Sequence, residues 1–149
     1  MPRDYPDRPI VGVGVVLWRD QRVLLIRRGN PPRLGQWSLP GGAQQLGETV
    51  TEAAQRELFE ETGLAADSLE LLTTVDLIER DEVGRVRYHY TLVDFTGEAG
   101  AGDGRPGDDA AAVGWFTRDE IDALGLWTET RRIIDLAAAQ RRRASGRET

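Results

Sequence analysis

The chain contains no cysteine and no lysine. Without cysteine there is no disulfide framework, no thiolate nucleophile and no sulfur-ligated metal. Without lysine there is no Schiff-base chemistry and no amine general base, because all 19 basic residues are arginine. The single histidine, His89, rules out a histidine-built metal centre. Standing alone on a strand pattern, with no cysteine or serine constellation around it, it reads as structural. No segment approaches the ~18 apolar residues of a membrane helix, and the opening MPRDYPDRP has no apolar core of the kind a signal peptide needs. A net charge of −6 opposes general binding to nucleic acid or to an anionic membrane surface. These absences point to a soluble, cytoplasmic protein, and 149 residues suffice for one domain with its own core.

What the chain does have is concentrated in residues 42–64, GAQQLGETVTEAAQRELFEETGL. Thr49 with Glu52 three residues later makes a capping box, and Gly63 supplies a left-handed end, so the spacing predicts a short helix between them. Glu57, Glu60 and Glu61 stand at i, i+3 and i+4 and share one face of that helix. Val50, Ala53 and Ala54 fall in the same sector, so the acidic face is also the face that turns toward the protein. Like charges turned inward repel and lose hydration unless a cation compensates. Clustered hard oxygens suit Mg²⁺, with Mn²⁺ as a substitute, rather than zinc. The competing account is a solvated acidic helix.

The order Gly42, Glu48, Arg56-Glu57-Leu58, Glu60-Glu61, Gly63-Leu64 resembles the Nudix hydrolases, whose signature is G-x5-E-x7-R-E-U-x-E-E-x-G-U with U aliphatic. Every specified position matches. At ordinary residue frequencies, chance would give such a match in about one chain in ten million of this length. The resemblance implies an α/β fold, a Nudix-like α/β/α sandwich with a mixed β-sheet between helices. It implies a pyrophosphohydrolase that cleaves a nucleoside diphosphate linked to X. It carries over Glu57, Glu61, Glu60 and the Gly41 carbonyl as metal ligands. Glu48 is expected behind them or on a metal-bound water, and Arg56 is expected to orient carboxylates by pairing with Glu48, Glu52 or Glu60. Family members often place a further acid late in the chain, where Glu98, Asp108 and Asp109 are candidates and Asp109, nearest the next strand, is preferred.

Around the signature the chain reads in order. Residues 1–9 are a loose, proline-rich arm, residues 10–144 a single domain and residues 145–149 a frayed tail. Residues 10–18 and 23–27 form a hairpin about Asp20 and Gln21. Arg27, Arg28 and Arg33 then cluster beside the loop GNPPRLGQW, as solvated arginines or as ligands for substrate phosphates, which guanidinium matches bidentately. Trp37 is expected in the core rather than as a base-stacking platform. Strands follow at 69–78, 85–95 and 111–116, with a flexible glycine-rich segment at 96–109. A short helix opens at Thr117, and a longer one is capped by Thr128.

The loop RRGNPPRLGQWSLPGG looks like small bacterial family members assigned to ADP-ribose, which is the favoured substrate class. One departure stands at Arg80, where one ADP-ribose subgroup carries a proline. An (oxidised) deoxynucleoside triphosphate housecleaning enzyme is the first alternative. A nucleotide-sugar-sensing module without catalysis is the second. The expected partners are a small-molecule nucleoside diphosphate derivative and at most a second copy of the chain as a homodimer, with no nucleic acid and no membrane.

Overall fold

The computed structural model describes residues 3–29, 34–107 and 110–147. Strand β1 (Ile10–Arg19) is the axis of a mixed sheet. Its far end pairs antiparallel with β2 (Arg22–Arg28) across the two-residue turn at Asp20, whose φ of 53° is left-handed. β2 pairs in turn with the two-residue β3 (Trp37–Ser38) and with β7 (Ala110–Thr117). The near half of β1 is flanked by β4 (Gly41–Ala43), antiparallel, and by β6 (Val86–Glu98), parallel. β5 (Glu70–Arg80) closes the edge as the hairpin partner of β6.

Strand alternation sends successive β1 residues to opposite faces. Val13, Val15 and Leu17 pack with Ala53, Ala54 and Leu58 of α1 (Val50–Thr62). Val16 and Trp18 pack on the other face with Ile121 of α2 (Arg118–Asp122) and with Ile133, Ile134 and Ala137 of α3 (Thr128–Arg147). The result is the expected sandwich, with α1 on one side and α2 and α3 on the other.

Several local readings need correction. The segment before α1 is not all loop, since residues 41–43 join the sheet beside β1. The arm at residues 3–9 is tied down. Tyr5 N–H donates to the Arg87 carbonyl at 2.7 Å, its hydroxyl donates to Asp81 at 2.9 Å, and Arg85 lies over its ring. An aromatic side chain gives the arm a grip that its proline content concealed. β6 runs on to Glu98, because nine consecutive residues pair with β1, so residues 96–98 are strand rather than flexible loop. α3 continues through the arginine-rich run, where Arg141 pairs with Glu98 and lies over Trp18.

Candidate active site

α1 is built as its caps require. Thr49 accepts from Glu52 N–H while Glu52 accepts from Thr49 N–H, and Gly63 ends the helix at φ 73° with its N–H on the Phe59 carbonyl. The buried side of the helix runs through Ala54, Leu58 and Glu61 rather than being centred on Glu57, because Leu58 anchors it in the apolar cluster. Glu61 is therefore only 7 % exposed, Glu57 lies at the margin, and Glu60 reaches outward.

β4 forms the wall facing these carboxylates. Gly41 N–H donates to Glu61 Oε1 at 3.0 Å. At Gly42 a Cβ would stand 2.4 Å from the Glu57 carboxyl carbon, and at Gly41 it would stand 2.0 Å from the Val13 carbonyl oxygen. Gly42 thus lets the helix carboxylate approach β4, and Gly41 lets β4 approach β1. Burial pushes the Glu61 carboxyl up to about 8; the Gly41 N–H opposes this, Glu57 beside it adds to the rise, and the Arg28 charge lowers it.

Arg56 organises the remaining acids. Its Nε and NH2 grip Glu48 at 3.0 and 2.7 Å, NH1 reaches Glu57 at 2.8 Å and Glu60 at 3.2 Å, and NH2 also donates to the Ala43 carbonyl. Glu52, the other partner considered, is occupied by the cap. The hydrogen bonds from Arg56, then that from Gln45 N–H, hold the Glu48 carboxyl below its usual range, and Arg56 itself is raised, chiefly by Glu48. Glu48 therefore stands behind the carboxylate pair, linked to it through a guanidinium.

Among the described residues no three acidic or histidine side chains close into a ready-made metal cage. The donor set nonetheless fits a hard divalent cation. Two neighbouring carboxylates, one of them buried and raised by the other's charge, sit against a glycine backbone that leaves them room. Glu60, more than half exposed and held by Arg56, lies at the rim of that set.

The arginine cluster divides. Arg28 borders a cavity of about 340 Å³ and its charge reaches Glu61, whereas Arg27 is exposed and lies toward the Trp37 ring at 6.0 Å. Arg33, Asp108 and Asp109 fall outside the described residues. Glu98 is not at the site. It pairs with Trp18 in register, four residues along β1 from Gly14, the partner of Gly41, which is about 13 Å at the strand rise. Trp37 packs edge-on against Phe116 at 4.9 Å and also lines the cavity.

That cavity opens on the α3 face of the sheet, with Gly12 and Gly14 in its floor and Tyr90, Leu92, Trp127 and Ile133 among its walls. It also contains a residue the sequence reading passed over. Asp94 is 4 % exposed, its Oδ2 has no hydrogen-bond partner among the described residues, and burial pushes its carboxyl up to about 6 against the opposing charge of Arg132. The signal was available: the alternation of Tyr88, Tyr90 and Leu92 along β6 extends to Asp94, placing an acid on an apolar side.

A family model described as NUDIX domain matches residues 8–137, and the chain belongs to the Nudix family. It is a Nudix hydrolase by that membership. It is 37% identical over 118 residues to an ADP-ribose pyrophosphatase of Methanocaldococcus jannaschii, covering 79% of this chain and 68% of that one. It is 38% identical over 95 residues to a putative 8-oxo-dGTP diphosphatase 3 of Mycobacterium tuberculosis, covering 62% of this chain and 42% of the relative. Among solved structures, the NUDIX domain of Shewanella oneidensis NrtR complexed with ADP ribose matches with a TM-score of 0.76 at 26% identity, over 90% of this chain and 89% of that one.

Proposed function

We propose that this hydrolase is a Mg²⁺-dependent pyrophosphohydrolase acting on a nucleoside diphosphate linked to a sugar, with ADP-ribose as the favoured substrate. The observation that carries the reading is the pairing of Glu57 and Glu61 against the Gly41–Gly42 backbone, beside a cavity large enough for a nucleoside. The relative named for ADP-ribose hydrolysis and the neighbour solved with ADP ribose support the substrate class.

The roles follow from placement. Glu57 and Glu61 would hold the cation, with the Gly41 carbonyl and Glu60 completing the set. A divalent cation there supplies Lewis-acid polarisation of phosphate oxygens and a water of lowered pKa. Gly41 N–H fixes the rotamer of Glu61, and Arg56 fixes Glu57 and ties it to Glu48. Arg28, on the cavity side, offers a fork of donors to the diphosphate, with Arg27 and Arg33 as further candidates. Asp109 is retained as a candidate late acid. Water oxygen bonds to one phosphorus and the bridging P–O bond breaks, so ADP-ribose yields AMP and ribose 5-phosphate.

The test is product analysis with Mg²⁺ on ADP-ribose, other nucleoside diphosphate sugars, dGTP and 8-oxo-dGTP. AMP with ribose 5-phosphate is the expected result. A deoxynucleoside monophosphate with pyrophosphate would move the enzyme to the housecleaning class, a reading favoured by the 8-oxo-dGTP relative. No cleavage of any compound, with ADP-ribose still bound, would mark a sensing module.

A further inference from the structure

Asp94 has no part in the chemistry described above, yet its position is costly. A carboxylate oxygen buried without a donor loses hydration and gains nothing in exchange, and native proteins seldom leave one so. Among the described residues nothing repairs the deficit: Arg132, whose charge favours the ionised form, is engaged with Glu129.

Its setting indicates what would. Asp94 lies beside Gly14 in the parallel β1–β6 register, and a Cβ on Gly14 would stand 2.5 Å from Asp94 Oδ1. At Gly12 a Cβ would stand 2.9 Å from Leu92. At both glycines a β6 side chain takes the space a Cβ would need, so Leu92 and Asp94 lie close against β1 at the floor of the cavity. Trp37, Leu39, Tyr90 and Trp127 supply aromatic and apolar walls. Aromatic and apolar walls and one unpaired carboxyl among the lining residues together describe a seat for a heteroaromatic ring with an N–H on its edge.

We propose that Asp94 is the base-reading residue of this enzyme, its carboxyl accepting the exocyclic amino N–H of an adenine seated in this cavity. Either protonation state of a carboxyl retains an acceptor lone pair, so the contact does not depend on its ionisation. The inference rests on the nucleoside diphosphate reading and deepens it. It separates Asp94, which selects the base, from Glu57 and Glu61, which serve the diphosphate.

The test compares ADP-ribose with the same molecule carrying hydrogen in place of the 6-amino group, both in turnover with Mg²⁺ and in calorimetric binding. Wild-type protein should prefer ADP-ribose by at least about tenfold in kcat/KM or in Kd, because a site built to pair an N–H rejects the analogue that lacks it. Asp94→Leu should bring the preference to within about twofold by weakening ADP-ribose. Asp94→Asn, which keeps an acceptor in the same shape, should preserve part of the preference. Equal handling of the two compounds by wild-type protein, or an undiminished preference in Asp94→Leu, overturns the proposal. If Asp94→Leu fails to fold, the wild-type comparison and Asp94→Asn still decide it. A protein that cleaves neither compound but binds ADP-ribose tenfold better loses the hydrolase reading while the base readout stands.

Discussion

The two faces of the sheet treat acidic groups in opposite ways. On the α1 face, Glu48, Glu57, Glu60 and Glu61 are all engaged: Arg56 reaches three of them and Gly41 N–H the fourth. On the α3 face, Asp94 is as buried as Glu61, but its Oδ2 has no donor among the described residues. The difference separates two kinds of site. A crowded, cross-linked set of carboxylates is preorganised for a cation, whose charge repays several oxygens at once. A solitary acceptor in apolar surroundings is matched to one neutral N–H. Burial alone does not distinguish these cases, whereas the inventory of donors does.

Substitutions can break this contrast, and the largest effect belongs to the α1 face. Glu61→Gln preserves an acceptor for Gly41 N–H but removes a carboxylate ligand, so turnover should fall by roughly 10² or more while the thermal unfolding curve barely moves. Near-wild-type turnover would remove Glu61 from the metal site. Gly42→Ala should displace the Glu57 carboxylate, since the new methyl falls within its oxygens, and lower turnover by about tenfold to a hundredfold. A matching loss of Mn²⁺ affinity in a metal titration would locate the damage; unchanged affinity and rate would show that Glu57 moves aside without consequence. Arg56→Ala leaves three carboxylates without their shared partner and should cost about 1–3 kcal/mol in urea unfolding at neutral pH. A loss below a few tenths would show that the network orients rather than stabilises.

The α3 face gives a pH signature. A carboxyl raised to about 6 in the folded state binds its proton more tightly there than in the unfolded chain. Its contribution is fully present below the unfolded value of about 4 and is lost as pH rises through the folded value. Asp94→Asn should therefore gain stability relative to wild type between about pH 4 and 6, by up to about 3 kcal/mol, and hold that advantage above. Parallel urea midpoints across this window would contradict the burial argument. The smallest effect is expected at the N-terminal arm, where Tyr5→Phe removes one exposed hydrogen bond to Asp81 and should shift the urea midpoint only slightly.

The parts of this molecule that sequence reveals are those fixed by short-range rules. Thr49, Glu52 and Gly63 bracket α1 through contacts within three or four residues, so the helix and the order of its acids can be read directly. The β1–β2 hairpin is legible for the same reason. What was not legible depends on partners far along the chain. Glu98 is held away from the site by its register with Trp18, where it pairs with Arg141, 43 residues on, and the arm is fastened by a contact between Tyr5 and Asp81, 76 residues apart. The ranking of Glu57, Glu60 and Glu61 by depth was set by Leu58 in the core, which a helical wheel does not weigh. Asp94 was visible in the alternation of β6 but acquired its meaning only when two glycines of another strand came to lie beside it.

The strand register carries a metric consequence. Asp94, Gly14 and Gly41 lie in one row across β6, β1 and β4, and Gly41 in turn holds Glu61. Adjacent strands keep a spacing of about 4.8 Å, so the backbones of Asp94 and Gly41 stand about 10 Å apart, and in the proposed reading this row links the base end to the phosphate end. Backbone hydrogen bonds, rather than adjustable side chains, maintain that distance. The sheet thus acts as a gauge, and a ligand whose base and diphosphate are separated by the wrong length cannot satisfy both ends at once.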